Sequence, residues 1–192
     1  MHHLIHIGIF LAVILLFTPN TASAEQSDLI ARMKAGGHIL MIRHALAPGN
    51  GDPSEFKLGD CATQRNLDER GRMQSREIGR WLHANGIKSA RIYSSQWCRC
   101  LETAALTAMG TVTELAGLNS FYELPQNRES NLNALNKFIS RQPVDGELII
   151  MVTHYVTIAA ITNETIASGE GVLLELREDA SYRVVGSLKF DH

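Results

Sequence analysis

The sequence predicts an α/β fold: a three-layer α/β/α sandwich whose central sheet is mostly parallel with an antiparallel edge. Three observations carry this. Two largely apolar runs, His38 to Ile42 and Glu147 to Thr153, have the length and continuity of strands buried on both faces. Segments with helical periodicity alternate with the strand-like ones, the arrangement that connects parallel neighbours and covers both sides of a sheet. The segment GVLLELREDASYRVVGSLKF reads as two strands around a turn at Glu178, Asp179 and Ala180, an antiparallel hairpin at a sheet edge.

Taken in order, the chain opens on MHHLIHIGIFLAVILLFTPNTASA, an apolar stretch from Ile7 to Phe17 followed by Pro19 and the small residues Ala22, Ser23 and Ala24. This is the pattern of a secretory signal peptide, residues 1–24, cut before Glu25, although His2, His3 and His6 stand where lysine or arginine is usual. The apolar stretch is well short of the roughly 20 residues of a membrane-spanning helix. Cleavage leaves residues 25–192, one domain with one core. An exported, periplasmic or secreted protein is therefore expected, without stable membrane insertion. The 18 basic and 20 acidic residues are nearly balanced, which argues against nucleic-acid and membrane-surface partners. Nothing in the sequence specifies an oligomeric state.

A short polar helix is expected over Ser27 to Ala35, then Gly36 and Gly37 punctuate before the first buried strand. From Ala45 to Asn66 the chain is rich in Gly, Pro, Asp and Asn and lacks periodicity, a long loop of the kind that is usually functional. A helix follows, capped by Asp68 or Asn66 and stopped by Asn85 and Gly86, with Met73, Ile78, Trp81 and Leu82 near one stripe. Further along, strands are expected at Ala90 to Ser94 and Thr111 to Leu115, and helices at Trp97 to Met109, Asn127 to Ser140 and Val156 to Ile166.

In an exporting context the three cysteines, Cys61, Cys98 and Cys100, are expected to form one disulfide and leave one thiol over. A bridge from Cys61 to either partner would contribute about 3 to 4 kcal/mol through the unfolded chain. Spacing does not choose between Cys98 and Cys100. A zinc site is the rival reading, but the spacing matches no usual ligand set.

The chemistry gathers at strand ends. ILMIRH places Arg43 and His44 at the carboxyl end of one buried strand, and LIIMVTH places His154 at the end of the other. Ligands bind beyond the carboxyl ends of strands in such sheets. Arg99 falls in the first turn of a helix, where a cation opposes the macrodipole unless an anion is also present. Two guanidiniums and two imidazoles describe an oxyanion cradle, and neutral imidazole is a competent nucleophile at neutral pH.

These residues lie in four stretches that together resemble the histidine phosphatase superfamily, the phosphoglycerate mutase-like fold. IRHALAPGN resembles its Arg-His-Gly signature, with Ala45 in the glycine place. LDERGRMQS is similar to the family's helix opening through Leu67, Gly71 and Gln74; SSQWCRCLETA is similar to a second motif through Ser95, Arg99, Thr103 and Ala104. IIMVTHYV resembles the strand ending in His-Gly, with Tyr155 for glycine. The resemblance covers about residues 37–160.

It implies that His44 is a nucleophile that becomes phosphohistidine, and that Arg43, Arg99 and His154 hold the phosphoryl oxygens. Asn50 falls where the family often places a phosphate contact, and Tyr155 would shape the substrate pocket. The proton donor that the family uses would be Glu123, with Glu129 and Asp52 as alternatives. The expected activity is a phosphomonoesterase acting on a small phosphorylated substrate, such as a sugar phosphate of the cell envelope, with no cofactor and no metal. A protein phosphohistidine phosphatase is a second possibility. From a different class, a non-catalytic phosphate-binding module of the same fold is the alternative, with Tyr155 as the departure that permits it.

Overall fold

A computed structural model describes residues 21–190 of the chain. The apolar core of the expected signal peptide lies outside the described residues. The first helix, α1 (Thr21–Ala35), runs across the expected cleavage position and on to the start of the first strand. Among the described residues no helix is long and apolar enough to cross a membrane.

Six strands form one sheet: β1 (His38–Arg43), β2 (Arg91–Ser94), β3 (Val112–Glu114), β4 (Ile149–Thr153), β5 (Gly171–Leu176) and β6 (Tyr182–Leu188), in the spatial order β3-β2-β4-β1-β5-β6. β3, β2, β4 and β1 are mutually parallel; β5 and β6 add the antiparallel edge. β1 and β4 are the central pair, with Arg43 opposite Thr153 in register, and this brings the residues that follow both strands to the same edge.

Side-chain alternation divides the core in two. Leu40, Ile42, Ile150 and Val152 face α1, α2 (Glu69–Ala84) and α3 (Cys98–Leu106), packing with Met33, Ile78, Leu82 and Ala104. Ile39, Met41, Ile149 and Met151 face α4 (Arg128–Ile139) and α5 (Tyr155–Thr162), packing with Leu135, Ile139 and Ile158. Burial on both faces is why these strands read as unbroken apolar runs rather than alternating ones.

Helix boundaries follow local chemistry. Asp68 caps α2 by accepting from the Gly71 amide at 2.8 Å, and Asn85 closes its other end. The expected Trp97 to Met109 helix is shorter at both ends. Trp97 is its N-cap, and the chain leaves at Thr107 to let Ala108 take a positive φ before β3. α5 likewise ends early, at Asn163 in the left-handed conformation that asparagine tolerates. The loop from Ala45 to Asn66 has no α-helix or strand, only a 3-10 turn at Cys61–Thr63.

Cys61 and Cys98 form the disulfide, and Cys100 is a buried free thiol. The choice that spacing left open is made by helix geometry: Cys98 stands at the start of α3 facing the loop, whereas Cys100 turns into the core. Two of the three cysteines being joined to each other, they make no zinc site. Among the described residues, no other group of three His, Cys, Asp or Glu side chains is arranged to hold a metal ion.

Candidate active site

A cavity of about 220 Å³ opens at the carboxyl edge of β1 and β4 and is lined by Arg43, His44, Arg99, His154, Glu123 and Tyr155, among others. His44 is 2% exposed and emerges directly from β1; its amide donates to the Thr153 carbonyl at 2.9 Å, which extends the β1/β4 ladder by one rung. His154 is equally buried and serves as the N-cap residue of α5. The two rings meet edge to face with centroids 5.5 Å apart.

The His44 ring is oriented from behind. Nδ1 lies 2.8 Å from the Ala45 carbonyl, which can only accept, so Nδ1 carries the proton and Nε2 keeps its lone pair. Ala45 is itself fixed by its amide donating to Thr103 Oγ1 at 3.0 Å, while that hydroxyl donates to the Arg99 carbonyl at 2.7 Å. Alanine in the glycine place is fully buried and packs against Ala47 and Leu67. Burial, with Arg99 next in importance, pushes the His44 pKa down to about 3; burial, then His44 and Arg99, pushes His154 well below the ordinary value of 6.5. Both imidazoles are neutral at physiological pH, the form that a nucleophile requires.

The second motif serves the same loop. A Cβ on Gly71 would stand 2.0 Å from the Leu46 carbonyl oxygen, so only glycine lets α2 approach this closely. Gln74 accepts from the Leu46 amide at 3.0 Å and donates to the Ser168 carbonyl at 2.8 Å, stitching two cavity walls together. On the other side, Ser95 Oγ lies 2.9 Å from His154 Nε2 and donates to Asn119 Oδ1 at 3.2 Å. Arg99 Nη2 approaches His154 Nδ1 at 3.4 Å. Arg99 can only donate, so His154 Nδ1 accepts and Nε2 carries the proton, which it donates to Ser95 Oγ while that hydroxyl donates to Asn119.

Arg99 is 2% exposed and its Nη1 is 2.8 Å from Asp52 Oδ1. The anion called for at the start of α3 is thus supplied in part by the protein itself. The Asp52 side chain is fully buried; it also accepts from the Arg65 amide at 2.9 Å and from Trp97 Nε1 at 3.0 Å. Burial alone would raise its pKa, but the hydrogen bonds from Arg99, Arg65 and Trp97 outweigh that and hold it below the ordinary carboxylate value. This is a correction to the sequence reading: a carboxylate locked in an ion pair away from the cavity is no proton donor. Glu129, the other alternative, is exposed in the first turn of α4 and does not line the cavity.

Glu123 does line it. Its Oε1 accepts from the Asp52 amide at 2.8 Å, while Oε2 is buried with no hydrogen-bond partner. Two buried donors are unpartnered as well, Arg43 Nε and Arg99 Nε. Unpaired buried groups are costly, and three from residues of one cavity mark a surface prepared for a polar ligand. Arg43 donates from Nη1 to the Ile166 carbonyl at 3.0 Å, and its guanidinium lies 5.3 Å from the centroid of the Tyr155 ring. Tyr155 is 37% exposed and sits 5.9 Å, centroid to centroid, from Tyr122, so the two rings form one side of the mouth. Asn50 is exposed on the cavity rim.

Arg65 also lines the cavity and escaped the sequence reading. Its Nε donates to the Gly51 carbonyl at 2.7 Å, Nη1 donates to the Ala47 carbonyl, and its own carbonyl accepts from Arg99. An arginine inside an irregular loop carries no periodic signal, and its partners are backbone groups that no pattern announces.

Residues 39–128 match the family model of the histidine phosphatase superfamily, branch 1. That stretch, just under half of the chain, is what the chain shares with the superfamily. A curated relative, the mitochondrial serine/threonine-protein phosphatase Pgam5 of Drosophila mojavensis, is 29% identical over 89 residues, which make up 46% of this chain and 28% of that protein. The chain thus spans less than a third of that relative's length. The fold is shared with the protein histidine phosphatase SixA, solved in complex with tungstate, at TM-score 0.54 and 14% identity over 80% of this chain and 97% of that one. It is shared also with phosphoglycerate mutase from Plasmodium falciparum, at TM-score 0.50 and 17% identity over 81% and 95%. The phosphoglycerate mutase-like α/β sandwich expected from sequence is the fold observed.

Proposed function

We propose that this chain is a phosphomonoesterase of the histidine phosphatase superfamily that works through a covalent phosphohistidine on His44. The observation that carries the reading is the state of His44: neutral, with Nδ1–H held by the Ala45 carbonyl and Nε2 free at the cavity. Nε2 attacks phosphorus and the ester oxygen leaves with a proton from Glu123 Oε2, the unpartnered carboxyl atom at the cavity. Arg43, Arg99 and His154 hold the phosphoryl oxygens as charge shifts among them, and Arg65 adds a third guanidinium to the field. Glu123, now a carboxylate, takes a proton from the water that releases phosphate from His44. The same arrangement speaks against a binding module that has lost turnover, because binding alone needs neither an oriented imidazole nor a poised carboxyl group.

The substrate class that fits is a small phosphomonoester. The cavity is modest, three guanidiniums serve one anion, and the remaining wall is Tyr122, Tyr155, Leu46 and Pro48. Tyr155 widens the aromatic face beside the nucleophile, which suits a sugar or another ring-bearing leaving group. Export to the periplasm or beyond, and an envelope sugar phosphate as the natural substrate, complete the reading; the signal-like segment before Glu25 and the Cys61–Cys98 disulfide support it. A protein-borne phosphate is the second reading, favoured by the name of the curated relative.

The test is a panel of sugar phosphates, aryl phosphates and phosphorylated peptides assayed with excess chelator. Turnover unaffected by chelator, lost in His44→Ala and highest on one small ester supports the proposal. Activity that survives His44→Ala overturns the nucleophile, and a preference for peptides selects the second reading.

A further inference from the structure

Asp52 lies behind the residues that line the cavity, and no catalytic motif contains it. Its side chain grips three groups at once: Arg99 Nη1 at 2.8 Å, the Arg65 amide at 2.9 Å and Trp97 Nε1 at 3.0 Å. Its own backbone amide donates to Glu123 Oε1 at 2.8 Å. Both functional ends of the candidate reaction therefore meet in one residue: the guanidinium that faces the phosphoryl group, and the carboxyl that faces the leaving group.

We propose that Asp52 is a positioning residue that couples the phosphate-binding Arg99 to the proton-donating Glu123, setting the distance between the two. The proposal rests on the phosphomonoesterase reading above. Several features make the coupling stiff. Asp52 is followed by Pro53, which confines it to extended backbone, and preceded by Gly51 at φ +68°. A Cβ on Gly51 would lie 3.1 Å from Glu123 Oε1, so the chain passes Glu123 at a range that only glycine allows without adjustment. The Cys61–Cys98 bridge ties the far end of the same loop to the residue before Arg99. With one Glu123 oxygen occupied by the Asp52 amide, the proton is left to the unpartnered Oε2. The amide fixes which oxygen donates.

The chemistry provides a readout that a merely structural role would not move. A nitrophenolate leaves readily without protonation, whereas an aliphatic alkoxide needs its proton as it departs. Losing the general acid therefore spares 4-nitrophenyl phosphate and penalises an alkyl phosphate such as glycerol 2-phosphate. Asp52→Asn keeps the side chain's shape but sets a donor against one of its N–H partners and removes the negative charge that pairs with Arg99, so the residue and its amide shift. On full-length protein we expect kcat/KM to fall at least roughly tenfold further for glycerol 2-phosphate than for 4-nitrophenyl phosphate, in the range that small misplacements of catalytic groups produce. This ratio covers only the steps up to departure of the leaving group and not the phosphohistidine hydrolysis common to both substrates. The inhibition constant of inorganic phosphate should rise about tenfold, reporting the Arg99 end.

Glu123→Gln is the control. It should show the same substrate selectivity, and Asp52→Asn should add little further selectivity in the double variant, because both act on one proton transfer. If Glu123→Gln is selective while Asp52→Asn lowers kcat/KM equally for both substrates, the coupling is overturned and the phosphatase reading stands. If Glu123→Gln lowers kcat/KM equally for both substrates, the proton-donor assignment fails and the coupling falls with it. Near-ultraviolet circular dichroism of Trp97 and the thermal midpoint show that Asp52→Asn is folded; Asp52→Glu, which keeps the charge, should recover the phosphate inhibition constant.

Discussion

The ends of β1 and β4 and the loop over residues 45–66 face each other across one cavity, and they hold their side chains in different ways. Arg43, His44 and His154 stand on the two central strands of the sheet, in register, with their backbone placed by the ladder and by two apolar layers. Asp52 and Arg65 stand on chain that has almost no regular structure and are placed by side-chain hydrogen bonds to the loop's own backbone, by Arg99 and by a disulfide. The first region is rigid because the whole core supports it. The second depends on a few specific polar contacts, so a single substitution reaches much further there.

Arg99 belongs to both regions, on a core-packed helix yet paired with the loop, and removing it should have the largest effect. Arg99→Ala takes away the proposed oxyanion ligand and strands the buried Asp52 carboxylate. We expect kcat/KM to drop by roughly 10²- to 10³-fold and stability to fall by about 3 to 5 kcal/mol, measured by steady-state kinetics and urea denaturation. A loss no greater than that of an exposed arginine such as Arg80 would mean that the two regions do not meet at Arg99.

Opening the disulfide tests the loop alone. Cys61→Ser, or reduction of the folded protein, should cost about 3 to 4 kcal/mol and reduce activity as Asp52 and Arg65 lose their anchorage. Cys100 offers the matched comparison on the rigid side: burial pushes its thiol up to about 12, so it stays protonated, and Cys100→Ser should leave the response to reductant, which acts through Cys61–Cys98, unchanged. Equal stability with and without reductant would show that polar contacts alone hold the loop.

The two histidines make the rigid region sensitive to acid. Their folded pKa values lie below the ordinary 6.5, His44 at about 3 and His154 lower than usual for the same reason. Below about pH 6.5 the unfolded chain takes up protons that the folded protein resists, so stability decreases as pH falls from 6.5 toward 3, by up to about 1.4 kcal/mol per pH unit for each ring. Denaturation at pH 7.5, 6 and 5 reads this directly, and His44→Asn should flatten the slope. Asp52 acts in the opposite direction from the usual histidine case: its lowered pKa gives stability present above about 3.9 and lost only at lower pH.

The smallest expected effect is at the mouth. Tyr155→Ala should raise KM for ring-bearing esters about three- to tenfold, in keeping with the loss of one aromatic contact, with little change in kcat. An equal rise for an acyclic ester would remove the tyrosine pair from substrate recognition.

How much of this was legible in the sequence follows the same division. The strands, the hairpin, the strand-end histidines and the four motifs were readable because periodicity and local spacing encode them. The long loop was recognisable as functional, but its contents were not. Asp52 meets Arg99 across 47 positions and Glu123 across 71, and such pairings leave no local trace. For the same reason Arg65 escaped notice, the disulfide partner stayed open between Cys98 and Cys100, and Asp52 stood as a proton-donor alternative until its ion pair was seen. Glu123 was singled out from its place after the third strand, and it is the acidic residue of the three that reaches the cavity.

The central claim concerns a bond to His44, and the most direct measurement is to catch it. Protein mixed rapidly with a turnover substrate, quenched in alkaline denaturant that preserves phosphohistidine, and digested for mass spectrometry should yield one phosphorylated peptide carrying His44, absent from His44→Ala. A phosphoryl group on any other residue, or active enzyme with no phosphorylated peptide under quenching that preserves a phosphohistidine standard, would contradict it.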